Sequence, residues 1–110
     1  MTLNEYQKLA LKTALNHPES IMDKTIWVMG IAGEAGEVVE KWKKIVAYKD
    51  GVISDEDLHQ LKKEMGDVVW YVAVLANSLG LSFEEVMQHN VEKLQDRMKR
   101  GVTKGEGDNR

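Results

Sequence analysis

Residues 58–79 read LHQLKKEMGDVVWYVAVLANSL, and the fold turns on this stretch. Leu58, Leu61, Met65, Val68, Val72, Leu75 and Leu79 recur at alternating intervals of three and four, the repeat of a helix that packs one seam against other helices. From Val68 to Leu75 the sequence VVWYVAVL is apolar on every side. A helix in a four-helix chain of this size should keep one wet face. The second face is therefore expected to be covered by another copy, as a homodimer or homotetramer. The expected class is all-α, a four-helix bundle completed by oligomerisation.

Working outward, four places carry a helix-start signature, a Ser or Thr followed three residues later by an acid. They are Thr2 with Glu5, Ser20 with Asp23, Ser54 with Asp57 and Ser82 with Glu85. The stops agree: Asn16-His17-Pro18 ends the first segment, Asp50-Gly51 reads as a turn, and Gly80 stands where a left-handed cap belongs. These signals predict helices over 3–16, 21–48, 55–79 and 82–100. Residues 1–100 are expected to form one domain, and the polar, glycine-rich tail 101–110 a loop or mobile arm.

Composition narrows the class of protein. The 110 residues are 43% hydrophobic and 30% charged, as in a folded globular chain, and the length suits one core. One proline and few aromatics leave long helices open and disfavour an all-β fold. The net charge of -3 gives no support for nucleic-acid or membrane partners. With no cysteine, a disulfide framework and a thiolate metal site are excluded. The N-terminal residues lack a secretory pattern, and the longest uncharged run, 68–83, is short of the ~20 residues of a membrane span. A soluble, cytoplasmic protein is expected.

Helix two carries Gly30, Gly33 and Gly36 at intervals of three. Each costs ~1 kcal/mol relative to alanine in a helix interior. Close approach of a neighbouring helix, or room for a ligand, would compensate; the interleaved Glu34 and Glu37 favour the ligand. Residues three apart share a helix face, so Glu34 and Glu37 point together, and so do Glu64 and Asp67 on helix three. If the two helices run antiparallel, four carboxylates can converge across one groove. Their mutual repulsion needs a cation or protons. An all-oxygen, histidine-free set suits Mg²⁺, with Mn²⁺ as the alternative. Either pair alone reads more simply as a solvated face; the two together, beside a glycine-cleared helix, carry the metal reading. Glu40 continues the row, but Lys43 and Lys44 lie within pairing distance, which places it outside the set. A di-iron bundle would need two Glu-x-x-His units, and only Glu56 to His59 fits.

Helix four sets Asn90, Lys93 and Arg97 on one face. Lysine and arginine suit phosphate oxygens, although Lys93 and Arg97 could equally offset Glu92 and Asp96 at the surface. Asn90 takes an inward position between Val86, Val91 and Leu94, where an amide needs a partner. Trp27, Trp42, Trp70 and Tyr71 could stack on a base, but most are expected in the core. Asn77 could read a base edge or bond a neighbouring helix.

These residues bring a family into view. Gly30–Lys44, GIAGEAGEVVEKWKK, resembles the first acidic motif of the MazG-like, all-α nucleoside triphosphate pyrophosphohydrolases. Lys63–Val86, KEMGDVVWYVAVLANSLGLSFEEV, resembles their Glu-x-x-Asp motif and the helix after it. Asn90–Arg97, NVEKLQDR, is similar to their Asn-x-x-Lys-Leu-x-x-Arg segment, and the closing GEGDNR to the tails of short members. Gly33 stands where many members have a second glutamate. The resemblance implies that Glu34, Glu37, Glu64 and Asp67 bind Mg²⁺, that Lys93 and Arg97 contact phosphates, and that Asn90 positions the nucleotide. It implies hydrolysis of a (d)NTP to (d)NMP and pyrophosphate, in nucleotide-pool house-cleaning. A carboxylate not fully committed to metal can act as general base, and Glu37 is the candidate catalytic residue. The competing expectation is a non-catalytic helical oligomer for nucleotide sensing or protein interaction.

Overall fold

The computed structural model describes residues 1–15 and 20–110. Among them are four helices and no strand: α1 (Leu3–Leu11), α2 (Ile21–Lys49), α3 (Asp55–Ser78) and α4 (Phe83–Arg100). Each begins at an expected hydroxyl. Thr2, Ser20, Ser54 and Ser82 accept the backbone N–H three residues on at 3.1, 3.0, 3.1 and 3.1 Å. At Ser54 and Ser82 the acid returns the bond, so two otherwise orphaned donors are satisfied at each of those helix starts.

The first helix is shorter than its sequence suggests. Thr13 donates its hydroxyl back to the Ala10 carbonyl at 2.7 Å, while the N–H groups of Lys12, Thr13 and Ala14 bond three residues back. This tightening ends the α-helix at Leu11. The stop expected at Asn16-His17-Pro18 lies outside the described residues. At the end of α2 the left-handed cap is Asp50, with φ 52°, followed by Gly51 at 77°. Gly80, with φ 76°, makes the corner between α3 and α4 as expected.

Helices α2 and α3 form the most extensive packing, an antiparallel hairpin. Its turn is tied by Asp57, which is buried; its carboxylate takes Lys49 at 2.5 Å and Lys41 at 3.4 Å. These contacts and the Ser54 backbone N–H hold its carboxyl well below the usual carboxylate range. Helix α1 lies on α3 and α4. The core joins Ala10, Trp27 and Val74, with Tyr6, Leu11, Trp70 and Tyr71 packed around them. Trp70 meets Trp27 and Tyr71 edge-on, with ring centroids 5.7 and 4.9 Å apart. Trp42, at 48% exposed, is the tryptophan that the core leaves out, and Tyr48 is exposed as well.

Buried Gln7 locks α1 to the corner. Its amide donates to the carbonyls of Ala73 and Leu81 at 3.0 and 3.1 Å, and its oxygen accepts from the Phe83 N–H at 3.1 Å. Asn4 beside it accepts from the Glu84 N–H at 3.0 Å. Side chains of α1 thereby satisfy first-turn donors of α4.

Helix α4 turns from α3 by 105°. Among the described residues it packs on α1 and α3 but not closely on α2, so the four helices do not close into a bundle within one chain. The radius of gyration is 16.8 Å, against about 13 Å for a compact chain of this length. No single helix is long and apolar enough to cross a membrane.

Candidate active site

The hairpin brings three of the four expected carboxylates together. Glu34 from α2 and Glu64 and Asp67 from α3 each offer an oxygen, all within 4.8 Å of one another. The i, i+3 spacing sets Glu64 and Asp67 on one face of α3, and the antiparallel register sets Glu34 opposite. Glu34 and Glu64 are half-buried and Asp67 is exposed. Burial, and then the charges of Asp67, Glu64 and Glu37, push the Glu34 carboxyl up. Burial and the Asp67 charge likewise raise the hydroxyl of Tyr6, which reaches in from α1. Among the described residues, no lysine or arginine forms an ion pair with these three carboxylates. A group of hard anionic oxygens, crowded enough to raise the Glu34 carboxyl, fits a hard divalent cation.

Glu37 stands outside the group. It is exposed on α2 one turn beyond Glu34, close enough for its charge to act on Glu34. Glu40 leaves the row, as its spacing suggested: Lys43 and Lys44 hold it at 2.9 and 3.7 Å and draw its carboxyl below the usual range.

The glycines divide. A Cβ on Gly30 would overlap the Tyr71 ring, so this glycine permits the approach of α3, whereas Gly33 and Gly36 face open space. Beside Gly30, the residues Thr13, Ile26, Trp27, Trp70 and Tyr71 line an open cavity of about 240 Å³. Trp70 and Tyr71 follow Asp67 by about one helical turn, which puts this aromatic wall next to the carboxylates. Asn77 is half-buried near the end of α3.

The α4 residues lie elsewhere. Asn90 is exposed, contrary to the inward position expected from its apolar neighbours. Val91, Leu94 and Met98 are also 40–70% exposed within one chain, at 44%, 48% and 67%, because α4 departs from the hairpin and leaves that face uncovered. Lys93 and Arg97 pair with neither Glu92 nor Asp96; both hold Asp108 of the tail. With a rise of 1.5 Å per residue and the 105° turn, Arg97 is about 25 Å from Asp67 of its own chain. That is farther than one triphosphate can bridge.

Sequence reasoning missed the lock at Gln7 and the tie at Asp57, which read as an ordinary helix residue and a cap acid. It also missed Asp108; the cation pair at Lys93 and Arg97 was the signal that something anionic belongs there.

An all-helical hairpin that sets three carboxylates across one groove defines a helical protein with a candidate divalent-cation site. The MazG nucleotide pyrophosphohydrolase domain family matches residues 22–102, and the chain belongs to that family. The match covers both acidic motifs and the Lys93–Arg97 segment. Across the whole of both chains, over 115 residues, it is 47% identical to the gene 37 protein of Mycobacterium phage L5. It is 45% identical over 42 residues to YvdC of Bacillus subtilis (strain 168), covering 38% of this chain and 40% of that protein. No solved structure matches the chain.

Proposed function

We propose that the protein hydrolyses a nucleoside triphosphate with Mg²⁺, (d)NTP + H₂O giving (d)NMP + pyrophosphate, and that it serves to clear unwanted nucleotides from the pool. The observation that carries this reading is the group of Glu34, Glu64 and Asp67 within 4.8 Å, in a chain of the pyrophosphohydrolase family. Glu34, Glu64 and Asp67, with Glu37 at the edge, would hold the ion; Mn²⁺ could substitute. When bound, the ion supplies Lewis-acid stabilisation of charge on the phosphate oxygens.

The chain's own residues do the rest. Glu37, least committed to the group, takes a proton from the attacking water as general base. Lys93 and Arg97 offset charge on the departing pyrophosphate, and Asn90 positions the nucleotide. The aromatic wall of Trp70 and Tyr71 offers a stacking face for the base.

The reading requires a second copy. Lys93 and Arg97 are too far from the carboxylates of their own chain, so α4 of a neighbouring subunit brings them there, in a homodimer or homotetramer. Surface area supports this. The chain exposes 8032 Å², against about 6,200 Å² for a compact monomer of this mass. The excess is of the size that obligate interfaces bury. Val38, Met65, Val68 and Val69 line an open apolar trough along the hairpin, which is where such a copy would seat.

The test is a turnover screen of canonical and modified (d)NTPs with Mg²⁺ and with Mn²⁺. Release of pyrophosphate from at least one nucleotide, strongly reduced in Glu37→Gln with helicity intact, is expected. Nucleotide binding with no product across the panel would favour the sensing module instead.

A further inference from the structure

The tail is organised around its last side chain. The Arg110 guanidinium donates to the carbonyls of Val102, Thr103 and Gly107 at 3.1, 3.2 and 2.5 Å, closing residues 102–110 on themselves. Arg100 donates to the Arg110 carbonyl, and Val102 N–H bonds the Arg97 carbonyl at 3.0 Å. The closed segment therefore lies back against the end of α4.

This places Asp108 on two cations. Its Oδ1 accepts from Lys93 Nζ at 3.3 Å and from Arg97 Nη2 at 3.2 Å, and its carbonyl accepts from the same Arg97 nitrogen at 2.7 Å. Arg97 is left only 5% exposed on an otherwise open helix, whereas the Asp108 side chain is 83% exposed. The cation is buried and the acid is shallow. The Asp108 carboxylate is open to solvent on its outer side and is held by the two cations alone.

We infer that Asp108 occupies the anion site formed by Lys93 and Arg97, and that a phosphate group binds there by displacing it. The inference rests on the reading of Lys93 and Arg97 as phosphate-contacting residues. A carboxylate and a phosphate present similar acceptor oxygens to lysine and guanidinium donors, but a pyrophosphate presents more of them and more charge. Exposed carboxylate pairs are individually weak, so the polyphosphate wins. The cost to it is the fraction of molecules in which Asp108 is seated, which lowers apparent affinity in proportion. Arg97 and then Lys93 hold the Asp108 carboxyl below the usual range, so the acid is ionised and competes at neutral pH. Asp108 thus sets the affinity of the phosphate site without contributing a contact to the ligand.

The experiment uses the full chain and inorganic pyrophosphate in metal-free buffer containing EDTA, so that the carboxylate group plays no part. Binding is followed by calorimetry through the millimolar range, with circular dichroism to check folding. Asp108→Asn should bind pyrophosphate about three- to tenfold more tightly than the unchanged protein. In the unchanged protein, saturating pyrophosphate should also speed Glu-C cleavage after Glu106, as the segment is released. Equal or weaker binding by Asp108→Asn, with Lys93→Gln still weakening it, would overturn the displacement while leaving the phosphate reading in place. Absence of pyrophosphate binding, or binding indifferent to both Lys93→Gln and Arg97→Gln, would overturn both.

Discussion

Gly30 and Gly33 stand three residues apart in α2 and are glycine for opposite reasons. At Gly30 a methyl group would meet the Tyr71 ring, which Trp27 and Trp70 hold in place. The overpacking should cost about 1–3 kcal/mol, more than the ~1 kcal/mol an interior alanine returns. Gly33 has open space, so Gly33→Ala should stabilise the chain by up to about 1 kcal/mol. Urea melts of the two variants should therefore shift in opposite directions; a shared direction would refute this account of the α2–α3 contact. Asp57 makes a second prediction. Its carboxyl is held far below the ordinary range by Lys49, Ser54 and Lys41, so its stabilisation is complete at neutral pH. It is lost as pH falls below about 4, the unfolded-state value, towards the depressed folded-state value. Asp57→Asn should be less stable at pH 7 and lose less on acidification to pH 2, as read from urea midpoints. At this scale the pairing of Glu64 with Asp67 was legible because i, i+3 spacing fixes a shared face, whereas the same spacing did not bring Glu37 into the group with Glu34. The seats of Asn90 and Trp42 were not legible, because apolar neighbours in sequence do not reveal whether any surface arrives to cover them.

The elements show the same division between local and remote information. The four hydroxyl caps are local chemistry, and all four start helices where the sequence places them. The end of α1 was misread because the Thr13 hydroxyl turns back to Ala10, a competition that hydrophobic periodicity does not register. The docking of α1 on the α3–α4 corner depends on Gln7, whose partners lie 66 to 76 residues away, and no spacing rule reaches that far. Gln7→Ala would leave the buried Phe83 N–H and the Leu81 carbonyl without the partner Gln7 supplies, costing about 1–3 kcal/mol. Hydrogen exchange should show the loss first in α1 and the first turn of α4. Uniform loosening of the whole chain would contradict the role assigned to Gln7.

For the whole molecule, the apolar face of α3 already implied a partner, and the geometry gives that implication a quantity. A radius of gyration of 16.8 Å and an α4 that leaves its own hairpin are the features on which the proposed completion by another copy rests. Sedimentation at micromolar concentration should give a dimer or tetramer; a monodisperse monomer would defeat the proposal that α4 works in trans. The proposed assembly would bring α4 to the carboxylates of Glu34, Glu64 and Asp67, whose chemistry is the central proposal. Its most direct test is ³¹P detection of products from the reactive nucleotide in the turnover screen, with Mg²⁺ and with EDTA, for the unchanged protein and for Asp67→Asn. The account predicts nucleoside monophosphate and pyrophosphate in equal amounts, only with the metal, and a rate at least a hundredfold lower in Asp67→Asn, on the order of the loss of one charge-stabilising group. Equal turnover by a folded Asp67→Asn, turnover in EDTA, or release of orthophosphate as the first product would contradict it.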